Sequence, residues 1–125
     1  MLYLSEEDLI YCYEEGVRVK LYSRIPKQDG DITRIKTGFM KGLYDPSETK
    51  VMIYLPHIAD FPDYAKTLFH ELAHAVDYAL FDDRYSEEEI ETIAVQTYNV
   101  KPSLFDFIKE MYKLRNTKFE RNKLM

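Results

Sequence analysis

The sequence predicts one α+β domain: a small twisted, mostly antiparallel sheet of about three strands, packed by a long helix with further helices before and after it. Three observations carry this. Strand-like runs fall only between residues 17 and 55, alternating at 17–22 but too little at 51–55 to settle burial, and helical spacing lies on either side. Four Gly and five Pro, with 46% hydrophobic and 31% charged residues, are the composition of a packed chain rather than a disordered one. At 125 residues the chain can bury one continuous core without disulfide staples, so residues 1–125 read as a single domain, with 101–125 as a C-terminal regulatory helix and tail.

Taken in order, Ser5 followed by Asp8 resembles a capping box, and Leu9, Ile10 and Tyr13 recur at helical spacing until Gly16, which predicts a helix near 5–15. Val17, Val19 and Leu21 alternate with Arg18, Lys20 and Tyr22, the pattern of a strand with one buried face. Residues 25–34, with Pro26, Asp29 and Gly30, read as a loop. Two further strand-like runs, 35–44 and 50–55, enclose Asp45-Pro46-Ser47-Glu48 as a hairpin loop. Beyond Pro56 and Pro62, residues 63–81 form a long amphipathic helix with Ala65, Leu68, Phe69, Leu72, Val76, Ala79 and Leu80 along one side. Ser86 and Glu89 make a second capping box, opening a helix to about Tyr98. Pro102 with Ser103 starts a last helix over 103–115, and 116–125 read as a mobile basic tail.

Composition excludes several classes of function. Cys12 is the only cysteine, so neither an internal disulfide nor a cysteine zinc site is available, and the thiol is expected to be buried and inert. The N-terminus turns acidic after four residues and lacks the basic-then-apolar order of a signal peptide. No apolar run reaches membrane-spanning length, so a cytoplasmic protein without a membrane partner is expected. A net charge of −5 argues against nucleic acid as a partner, because phosphate contacts need a basic face. The charge is also unevenly spread: acidic residues dominate 60–91, and basic ones dominate from Lys101 onward.

His70-Glu71-Leu72-Ala73-His74 stands within the long predicted helix. Histidines four apart on a helix project side by side, so both imidazoles can reach one cation. They fall opposite the stripe of Ala65, Phe69, Leu72 and Val76, which leaves one face for packing and the other for metal. Glu71 adjoins the first histidine, where it can take a proton from a zinc-bound water and pass it to a leaving amine. Accident would place this pattern in well under about one chain in a hundred of this length. Catalytic zinc needs a third protein ligand, and no histidine follows His74. Glu91 is the choice, because it shares a helix side with Ala94, Val95 and Tyr98; Glu87 and Glu88, one turn earlier, are its substitutes. Asp77, three residues after His74, can orient a ligand histidine, serve as a ligand itself, or be a solvated charge. His57, between two prolines, reads as a loop histidine, with a third metal ligand or a substrate contact as the alternatives.

These residues resemble the gluzincin metallopeptidases, whose pattern is HExxH followed on a later helix by a ligand glutamate, often with alanine three residues on. The matching positions are His70, Glu71, His74, Glu91 and Ala94. The small size and element order are similar to the minigluzincins and to the peptidase domain of ImmA/IrrE-type proteins, over roughly residues 35–98. The resemblance implies a metalloendopeptidase with one zinc ion per chain, hydrolysing peptide bonds of a peptide or protein substrate through a metal-activated water. It also implies that a strand just before the active-site helix lines the cleft, which points to residues 51–55. An oxyanion-steadying side chain is expected too, with Tyr78, Tyr85 and Tyr98 as candidates.

Minigluzincins are known as latent forms with C-terminal blocking segments, so the basic tail beside an acidic site suggests a zymogen whose tail covers the cleft. The alternative is a non-catalytic, zinc-containing regulatory or peptide-binding protein; Glu71 tells against it, since a structural site needs no base. Oligomeric state, natural substrate and cleavage preference leave no mark in the sequence.

Overall fold

Ser5 and Gly16 bound the first helix, α1 (Glu6–Glu14), in a computed structural model that describes residues 1–24, 40–115 and 119–120. The Ser5 hydroxyl accepts the Asp8 amide at 3.2 Å. At the other end Gly16, with φ of 93°, turns the chain so that the Gly16 and Val17 amides bond back to the carbonyls of Tyr13 and Cys12. This left-handed closure suits glycine. Leu9 and Cys12 are the buried residues of α1, and burial pushes the Cys12 thiol up to about 11, leaving it inert as expected.

β1 (Arg18–Tyr22), β2 (Gly42–Asp45) and β3 (Lys50–Tyr54) form a sheet in the order β1-β3-β2. β2 and β3 are the expected hairpin, antiparallel with Gly42 opposite Ile53 and Tyr44 opposite Val51. β1 differs from the expectation: it runs parallel to β3, with Val19 opposite Val51 and Leu21 opposite Ile53, so the sheet is mixed. The hairpin turns β3 back against β2, and the long segment between β1 and β2 lets β1 lie on β3's far side, pointing the same way. β3 is therefore central and, among the described residues, β2 is an edge, which corrects the assignment of residues 51–55 as the cleft-edge strand. It also explains why this run fails to alternate. Val51 and Ile53 enter the main core while Met52 and Tyr54 join Tyr22 in a second cluster on the opposite face, so both sides of β3 are buried. The predicted strand start at 35–39 and the loop 25–34 lie outside the described residues.

After a short 3-10 turn (Leu55–His57), α2 (Phe61–Leu80) begins at Asp60, whose side chain caps the Asp63 amide. Ala65, Leu68, Phe69, Leu72 and Val76 are fully buried as the periodicity predicts, each large side chain contributing about 1.5–3 kcal/mol. Ala79 and Leu80 are exposed instead, because the last turn of α2 projects past the core. α3 (Glu87–Val100) opens with the complete Ser86–Glu89 capping box, and α4 (Leu104–Tyr112) ends at Lys113, whose φ is 55°. Phe105 of α4 meets Phe61 and Tyr64 edge-on, at 5.0 and 5.3 Å between ring centroids. Phe119 and Glu120, expected in a mobile tail, are buried and helical; the Phe119 ring lies 6.1 Å from Tyr64 and Glu120 pairs with Lys109. The aromatic ring of Phe119 accounts for the burial of this pair. Among the described residues, no helix is long and apolar enough to cross a membrane.

Candidate metal centre and cleft

One side of α2 faces a groove shared with β2 and α3. Asp63, Lys66, Thr67, His70, His74 and Tyr78 follow one another along it at short helical steps. Opposite them β2 and the residues leading into it run in the same direction. Lys41 pairs with Asp63 at 2.8 Å at one end, and the Tyr44 ring lies 6.2 Å from Tyr78 at the other. Met40, Gly42 and Glu71 border both halves of the groove, which enclose about 400 Å³ and 380 Å³.

The His70 and His74 rings are 5.0 Å apart, and one donor atom each from His70, Glu71 and His74 lie within 4.8 Å of one another. α3 supplies the carboxylates that face them. Glu87 spans both imidazoles, one oxygen 2.6 Å from His70 Nε2 and the other 3.0 Å from His74 Nε2. Glu91, one turn later, meets the opposite nitrogen of His70, with Oε2 2.6 Å from Nδ1. A carboxylate at each ring nitrogen favours the protonated form of His70. Burial alone would lower its pKa, but the neighbouring Glu71 charge and the bonds to Glu87 and Glu91 outweigh it, and the net shift is upward. Glu87 moves the other way: partial burial opposes ionisation, yet the bond to His70 and the charges of both histidines bring its pKa down.

Glu71 lies beneath this group, 7% exposed. Burial, reinforced by the charges of Glu87 and Glu91, lifts its pKa to about 7, against the opposing pull of His70 and a backbone hydrogen bond from Tyr44. Its stem is fitted closely against β2. A Cβ on Gly42 would come within 2.9 Å of Glu71 Cγ and 3.0 Å of the Met52 carbonyl oxygen. Gly42→Ala is expected to destabilise the fold by about 1–3 kcal/mol through overpacking, read as a shift in urea midpoint at unchanged slope. A glycine inside a strand run is the sequence signal for such a close approach.

Asp77 is neither a solvated charge nor a partner of the histidines. Completely buried, its carboxylate accepts the Arg84 and Tyr85 amides, both at 3.0 Å, while its carbonyl takes those of Phe81 and Asp83. It thereby folds the turn that brings Glu87 back to the histidines, through left-handed Asp82 and Asp83. Asp77→Ala, which takes the acceptor from two part-buried amides, is expected to cost about 2 kcal/mol in urea unfolding, with Asp77→Asn recovering about half.

The other sequence candidates separate clearly. His57 Nδ1 bonds the Met40 carbonyl at 2.8 Å and its ring stands edge-on to Tyr54, so it braces the approach to β2. Glu88 and Tyr85 border a different depression beside Leu2. Tyr98 lies under the Lys66 ammonium, 5.6 Å from ring centroid to nitrogen. Tyr78 alone of the three tyrosine candidates borders the groove. No described residue beyond Lys101 borders it, and the rest of the tail invoked for latency lies outside the described residues. No family model, curated protein or solved structure matches the chain.

Proposed function

We propose that this chain is a zinc-dependent peptidase of the gluzincin type, in which His70, His74 and Glu87 hold the metal, Glu91 steadies His70, and Glu71 moves protons. The observation that carries the reading is the convergence of both histidine Nε2 atoms on the Glu87 carboxylate, with Glu71 buried beside them. Two imidazoles and one carboxylate are a donor set that suits catalytic zinc. The sequence suggests Glu91 as the third ligand with Glu87 and Glu88 as substitutes; in this reading the substitute Glu87 takes that place. A ligand histidine offers one nitrogen to the metal and donates the other N–H to an orienting carboxylate. Glu91 faces Nδ1 and Glu87 faces Nε2, so Glu91 fits the orienting role.

Zinc, when bound, supplies Lewis acidity that polarises a water molecule and a substrate carbonyl. The remaining work falls to side chains. Glu71, poised to exchange a proton near neutrality, takes one from the attacking water and returns it to the leaving amine. Among the described residues β2 pairs on one side only, so an extended peptide can add to its outer edge and lie across Glu71. Tyr78, half exposed in the groove, is our assignment for steadying the oxyanion. Hydrolysis of a mixed peptide pool that is lost on chelation and restored by zinc tests the reading; hydrolysis indifferent to chelation, or none with zinc bound, would overturn it.

A further inference from the structure

The two halves of the groove differ in chemistry. On the His74 side the walls carry Leu43, Tyr44, Pro46 and Tyr78. On the His70 side they carry Lys41, Asp63, Lys66 and Thr67. Most charges along the groove are answered from within: Lys41 by Asp63, and Glu87 and Glu91 by the histidines. Among the cations Lys66 is the exception, as exposed Asp83 on the His74 side is among the anions. The Lys66 ammonium rests over the Tyr98 ring and has no carboxylate partner among the described residues. Contact with a ring face holds the charge in place while leaving its hydrogen-bonding capacity for another group. Thr67, beside it on the same wall, adds a hydroxyl.

Spacing ties this cation to the chemistry. Lys66 precedes His70 by one helical turn, about 6 Å along α2. An extended peptide advances about 3.4 Å per residue, so a substrate lying along β2 brings the side chain of the first or second residue from the scissile bond to Lys66. We propose that the Lys66–Thr67 end of the groove is a subsite for a peptide carboxylate lying within two residues of the scissile bond. The substrate class is then an acidic peptide, with its apolar or aromatic side chain on the other side of the bond, against Tyr44 and Tyr78. This inference rests on the peptidase reading for its scissile bond, although carboxylate binding at Lys66 can be measured without catalysis.

The test uses the full chain loaded with zinc and end-blocked peptides of one sequence, varied only near the centre: Asp or Glu, the matching amide, or Lys. A second set, amide throughout with a free C-terminus at that distance, separates a terminal carboxylate from a side-chain one. Binding is read on Glu71→Gln and cleavage on the chain with Glu71 intact, each with Lys66 native, Lys66→Met and Lys66→Glu. A charge-assisted bond predicts that the native lysine favours the carboxylate peptide over its amide by about ten-fold or more. Lys66→Met should level the two, and Lys66→Glu should turn the preference to the Lys peptide. Preference in one peptide set alone supports the subsite and names its source. Cleavage with no carboxylate preference, or a preference unmoved by Lys66→Glu, overturns the subsite and leaves the peptidase reading standing. Carboxylate binding that inverts in Lys66→Glu, without cleavage of any peptide, keeps the subsite and removes the peptidase reading. Neither binding nor cleavage removes both.

Discussion

Glu71→Gln is expected to lower peptide hydrolysis by the zinc-loaded chain roughly 10³-fold, within the range for a lost general acid–base group, while zinc stays at about one ion per chain. Glutamine has the same shape and cannot take the proton, so the groove and its metal-binding side chains are left in place. Full activity in this variant would mean that another group moves the proton; equal loss of zinc would mean that Glu71 supports the site rather than the reaction. The metal-free protein offers an independent check through pH. Glu71 has a native pKa of about 7 against an ordinary value of 4.5, so between these values the folded chain binds the proton more tightly than the unfolded chain. Its stability therefore falls as pH rises through that window, by on the order of 3 kcal/mol when complete. The upward shift of His70 acts in the same direction above its ordinary 6.5. Urea unfolding of the metal-free chain should show a larger loss between pH 5 and pH 8 than the same measurement on Glu71→Gln. A wild-type curve as flat as the variant's would refute the buried, proton-holding state.

The second large effect separates the two glutamates of α3. Four-ligand structural zinc sites bind with about 10–16 kcal/mol, so one ligand is worth about 2.5–4 kcal/mol. Glu87→Ala should thus weaken zinc by roughly 10²–10³-fold, whereas loss of an orienting carboxylate in Glu91→Ala should cost about 10–100-fold. Competition against a chromophoric chelator, run on both variants under one condition, ranks them. The reverse order would return the ligand role to Glu91.

His70, Glu71 and His74 are legible in the sequence because a helix fixes the angle between residues four apart, and the apolar stripe of α2 is just as plain. Ser86 and Glu89 mark the start of α3 for the same reason, a local hydrogen-bond pattern with local spelling. What escapes a reading of the residues depends on contacts between distant ones. Glu87 and Glu91 share nearly one side of α3, and only the angle at which it meets α2 decides which of them reaches Nε2. That angle is set by the Asp77 turn, and nothing in the sequence around Asp77 says that its carboxylate points back at Arg84 and Tyr85. Strand order is hidden too, since a hairpin reads the same whether its second strand ends up central or at an edge. Phe119 carries a signal that the charges around it outweigh.

Nearly every side of α2 is occupied: eleven of its twenty residues are buried, and it touches α1, β2, β3 and α3. Substitutions there disturb the core and the chemistry together. β2 has four residues and, among the described residues, one paired edge; Tyr44 is its side chain that packs against the main core. The two walls of the cleft therefore differ in how freely they can be rewritten. Divergence among related chains, or redesign in the laboratory, should find new substrates by changing Leu43 and Pro46 on this wall and Lys66 at the rim of α2, while Gly42 and the buried side of α2 stay as they are.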